Sequence, residues 1–68
     1  MNEVQAILNA STAPAEVKQN ALTIAFQVAT PIAYKNTNIS AGGEFLTLLM
    51  ELLKLLLPLL LDLLKPKP

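Results

Sequence analysis

The chain has 68 residues, with no cysteine, no histidine and no tryptophan, and its five acidic and five basic residues cancel to a net charge of zero. That bounds it to one small unit, excludes a disulfide framework and thiolate metal sites, and leaves no overall pull toward nucleic acid. It also removes the commonest metal ligand and the usual general base, so the sequence predicts no enzyme, no catalytic residue, no cofactor and no metal site.

The N-terminus lacks the basic region and early apolar stretch of a secretory signal peptide. Residues 2–10 place Val4, Ile7 and Leu8 at helical spacing. This predicts a short amphipathic segment, too short to hold alone, that docks on a neighbour or a membrane surface. Ser11-Thr12-Ala13-Pro14 reads as a break and restart, with Pro14 suited to the first turn of a new helix and Glu16 to its dipole.

A second helix is expected over residues 14–34. Residues 19–34 carry no charge. Gln19, Asn20, Thr23, Gln27, Thr30 and Tyr34 gather on one face, with Val17, Ile24, Val28 and Ile32 opposite. Between them runs Ala21, Ala25, Ala29, Ala33, a row of small residues at i, i+4 that suits close helix–helix approach. Pro31 should bend or end this helix near Thr30.

Residues 35–43 are expected to form a loop, with Asn, Ser and a Gly pair that extend neither helix. Asn9 and Asn38 each begin a glycosylation tripeptide, a pattern common by chance.

The third helix is expected over residues 44–65. Phe45–Leu64 holds 13 leucines in 20 residues. Its polar residues, Glu44, Thr47, Glu51, Lys54, Pro58, Asp62 and Lys65, recur at helical intervals and fall within an arc of about 80°. The remaining arc of roughly 280° is apolar, the reverse of an ordinary surface helix. The length, about 33 Å at 1.5 Å per residue, would allow a bilayer crossing. Glu51 with Lys54, and Asp62 with Lys65, are spaced to pair. Pro58 should kink the helix, and residues 66–68 close the chain as a basic tail.

The expected architecture is an all-α helical hairpin of two long helices with a short N-terminal helical segment, not an independent globular domain. The expected interaction residues are Glu51, Lys54, Pro58 and Asp62 on the polar stripe and Ala21, Ala25, Ala29 and Ala33 on the small-residue row. The layout of two apolar segments, a short turn and a basic tail is similar to that of small phage holins, and to helical-hairpin coat proteins and pilins. That likeness is one of organisation and covers no specific motif.

The function expected first is a structural subunit packing in a membrane-bound complex, virion or filament. Its partners would be itself or a larger protein complex, with lipid and without specific nucleic acid. A membrane protein with a transmembrane helix belongs to the same expectation. A holin-like permeabilising oligomer and a subunit of a soluble helical bundle are the alternatives.

Overall fold

A computed structural model describes residues 2–37 and 43–65. The fold is all-α: α1 (Asn2–Ala10), α2 (Ala15–Asn36) and α3 (Gly43–Leu64). The two long helices form an antiparallel hairpin, and α1 packs on α3. The molecule is elongated, 46 × 20 × 15 Å.

The hairpin is built on two facing i, i+4 rows. Ala21, Ala25, Ala29 and Ala33 on α2 are fully buried, and Leu49, Leu53, Leu57 and Leu61 on α3 are buried. A methyl side chain lets the α2 backbone lie close to α3, so the leucines fill the space between the axes. Edge-to-face packing of Tyr34 on Phe45, with ring centroids 6.1 Å apart, fixes the register at the loop end. Counting from that pair, Ala25 lies within about a residue of Leu53.

The linker between α1 and α2 is held locally. Ser11 Oγ accepts from the Ala13 amide at 3.1 Å, and the Ser11 amide donates to the Leu8 carbonyl at 3.2 Å. Pro14 stands at the N-cap of α2 with no side-chain cap, and its carbonyl accepts from the Lys18 amide at 3.0 Å. This short turn sends α1 back along the hairpin, antiparallel to α2 and therefore parallel to α3. Val4 and Leu8 then close over the C-terminal half of α3.

Pro31 does not end α2, which runs on to Asn36. Pro31 is exposed, so the carbonyl it leaves without an amide, that of Gln27, is on the outer side of the helix. The helix is then closed by side chains: Asn36 Nδ2 donates to the Ile32 carbonyl at 2.8 Å and Thr37 Oγ1 to the Ala33 carbonyl at 2.7 Å. Continuing past the proline keeps Ala33 in the buried row. Pro58 likewise lies inside an unbroken α3.

The expectation of a transmembrane helix, and with it that of a membrane protein, is overturned. Among the described residues, no helix is long and apolar enough to cross a membrane. The cause in α3 is charge: every 18-residue window holds three of Glu44, Glu51, Lys54 and Asp62. Each charge near a bilayer centre costs about 2.5–3.5 kcal/mol, against roughly 0.5 kcal/mol gained per leucine. In α2 the run of Gln, Asn and Thr lowers hydropathy despite the missing charges.

Candidate interaction site

The polar stripe of α3 lies along the border where α1 seats. Lys54 is the hinge of that seam. Its Nζ is 2.7 Å from Glu3 Oε2 on α1 and 2.9 Å from Glu51 Oε1 one turn back on α3. Lys54 is partly covered while both carboxylates reach solvent. The hydrogen bond and charge of Lys54 hold the Glu3 carboxyl below its ordinary value. Hydrogen bonds from Glu3 and Glu51 raise the Lys54 ammonium above its own. One cation shared by two carboxylates thus ties the start of α1 to the middle of α3.

Further along, Pro58, Asp62 and Lys65 line an open cleft of about 360 Å³ with Ile7, Ala10 and Ser11. Asp62 and Lys65 share this cleft without forming the ion pair their spacing allows; the ion pairs among the described residues are those of Lys54. Pro58 removes an amide from the helix and offers its ring to the cleft wall.

The structure therefore separates the eight residues singled out in the sequence. Glu51, Lys54, Pro58 and Asp62 lie on the α1 side of α3, and the four alanines lie inside the hairpin against α3. The two groups do not form one surface.

Sequence reasoning missed Glu3, which is the nearest partner of Lys54. A usable signal exists: Glu3 adjoins Val4, one turn ahead of the Ile7–Leu8 face, and the short linker leaves α1 little choice but to fold back. The asparagine tripeptide at Asn9 sits at the exposed end of α1, where Asn9 Oδ1 accepts from Gln5 Nε2 at 3.3 Å. The one at Asn38, most of the expected loop and the basic tail at residues 66–68 lie outside the described residues.

No buried side-chain polar atom among the described residues lacks a partner, and no trio of metal-ligating side chains comes together there. What stands out is apolar. Val28, Ile32, Leu46, Leu55, Leu59 and Leu63 are all more than two-fifths exposed, Leu63 at 78%.

No protein-family model matches the chain, and no curated protein or solved structure is similar to it.

Proposed function

We propose that this chain is a non-enzymatic assembly subunit, a small helical hairpin whose exposed leucine face is buried against other protein in a larger particle such as a coat or filament. The observation that carries this reading is the row Leu55, Leu59, Leu63, each at least 61% exposed and one turn apart on the same helix. A folded monomer rarely leaves a continuous apolar strip bare, and such strips mark association surfaces. The polar stripe supports the same reading. It carries charges of both signs and its central cation is neutralised within the chain, so the seam is already zipped by the protein's own α1.

The test is the size of the native species. Gently extracted from its source and passed over a sizing column, the chain should elute in a particle well above its own 7.3 kDa. That particle should survive high salt, because apolar association is not screened as ion pairs are. Elution as a single chain under all conditions would refute the reading.

A further inference from the structure

Few contacts attach α1 to the hairpin. It packs on α3, while the facing alanine and leucine rows hold α2 against α3 without it. Two of its side chains are buried, Val4 and Leu8. Among the described residues, its polar tie to the hairpin is the ion pair of Glu3 with Lys54. Its other side-chain and linker hydrogen bonds are local: Gln5 to Asn9, the Ser11 amide to the Leu8 carbonyl, and the Ala13 amide to Ser11 Oγ. Helices this short do not persist on their own, so a nine-residue helix held in so few places lies at the low end of local stability.

The ion pair is arranged so that opening it strands no charge. Lys54 keeps Glu51 of its own helix, 2.9 Å away, and Glu3 is already 72% exposed. Losing a partner is costly where it leaves a buried charge alone, and neither group is left so. The linker supplies a pivot. The Ser11 amide closes the end of α1, and Ala13 is anchored in the core. Exposed Thr12 stands between them, with one hydrogen bond of 3.1 Å across it.

The seat of α1 borders the bare leucine row. Leu59, the middle member of Leu55, Leu59 and Leu63, shares the open cleft with Ile7 and Ala10, and Leu61 lies in the same cleft. Lifting α1 therefore widens the apolar strip. It bares Val4 and Leu8 and the side of α3 that they close, around Leu57 and Leu61.

We propose that α1 is a strap that opens on an intact α2–α3 hairpin, and that its closed seat holds back part of the surface through which the chain associates. The proposal rests on the assembly reading and adds a control to it. Chains with α1 seated associate weakly, and chains with α1 lifted associate strongly.

The experiment takes two readings on the full chain. Amide hydrogen exchange, followed residue by residue, should be about a hundredfold faster in α1 than at Ala25, Ala29, Leu53 and Leu57. Leu8→Ala empties part of the seat and keeps a good helix former in α1. It should speed the α1 amides at least tenfold and leave those of the hairpin unchanged. Sizing over a series of concentrations then reads association. Leu8→Ala should associate at about a tenth of the wild-type concentration. A closed form is made with a carbodiimide, which joins Lys54 to Glu3 as an amide, with loss of water, between groups 2.7 Å apart. Glu51→Gln removes the competing carboxylate, and the unjoined Glu51→Gln chain is the reference. The joined chain should need about tenfold more protein to associate.

Amides of α1 that exchange at the hairpin's rate overturn the proposal, because α1 then opens only when the whole fold does. So do open and closed forms that associate at the same concentration. In either case a native particle well above one chain leaves the assembly reading standing. A native chain that elutes alone, with no association by any of these forms, refutes both.

Discussion

The closeness of the hairpin can be tested at its centre. Ala25 and Leu53 are both fully buried and lie within about a residue of each other. Ala25→Leu adds three carbons where a methyl group lets the backbones approach, and should cost about 1–3 kcal/mol by overpacking. Leu53→Ala removes the same three carbons from the other side and should cost about 2.7–5 kcal/mol, the span seen for buried leucines. A 68-residue chain has roughly 3–10 kcal/mol of stability in all. Ala25→Leu should therefore leave a folded but weakened protein, and Leu53→Ala one near its limit. In the double variant the new leucine occupies the space vacated by the old one. The loss should fall below the sum of the singles by about 1–3 kcal/mol, the coupling expected of residues in contact. Urea unfolding at one fixed protein concentration measures all four corners of the cycle, since association would shift every midpoint with concentration. Losses that add to within about 0.5 kcal/mol would refute the facing-row packing, because independent sites behave that way.

The seat of α1 makes two further predictions. Val4→Ala strips two buried methyl-sized carbons from a side chain only 2% exposed, at about 0.8 kcal/mol each. Protease cleavage in the linker at residues 11–14 should quicken while the α2–α3 hairpin resists; unchanged cleavage would mean that Val4 does not hold α1 down. The ion pairs give the same seat a pH window. Glu3 has a lowered pKa, so its contribution is complete above its unfolded value near 4.5 and fades as pH falls through the lowered folded value. Lys54 has a raised pKa, so its contribution is complete below 10.5 and is lost as pH rises through the raised value. Val4 and Leu8 methyl resonances should report docking across the middle range and drift toward undocked positions at both ends; flat resonances would remove the ion pairs from the account. Finally, Pro31→Ala restores an amide to the interior of α2 at an exposed position, where proline is disfavoured by about 3 kcal/mol relative to alanine. Part of that should appear as a raised Tm, and a lowered one would show that the native backbone depends on the ring.

Much of the fold was legible because it is periodic. The rows Ala21–Ala33 and Glu44–Lys65 repeat at helical intervals, and repetition survives any uncertainty about ends. The boundaries were less legible. Residues 14–34 were expected to be helical and Ala15–Asn36 is, because Asn36 and Thr37 close the helix with side-chain bonds that no local rule weighs against a proline. The membrane expectation failed for a different reason. Counting leucines measures how much of α3 avoids water, and it does not distinguish lipid from protein as the alternative; the three charges in every window decide against a crossing. The pairing of Lys54 with Glu3 was not legible, since residues 51 apart in sequence meet only after the linker has turned α1 around.

The alanine row and the bare leucines are two consequences of one choice. A helix lined with methyl groups comes close to α3, but it is thin and covers a narrow arc of it. Leu49, Leu53, Leu57 and Leu61 are closed off by α2, with Val4 and Leu8 of α1 completing the cover over the C-terminal half. Leu55, Leu59 and Leu63 lie on a neighbouring arc that neither helix reaches. Had α2 carried leucines in place of Ala21, Ala25, Ala29 and Ala33, its axis would stand further off and its side chains would spread over more of α3. A chain of this length, with one thin helix and one nine-residue helix around a leucine cylinder, has no third wall of its own among the described residues. On the proposed assembly reading the missing wall is another protein surface, and the need for it follows from the alanines as directly as from the leucines.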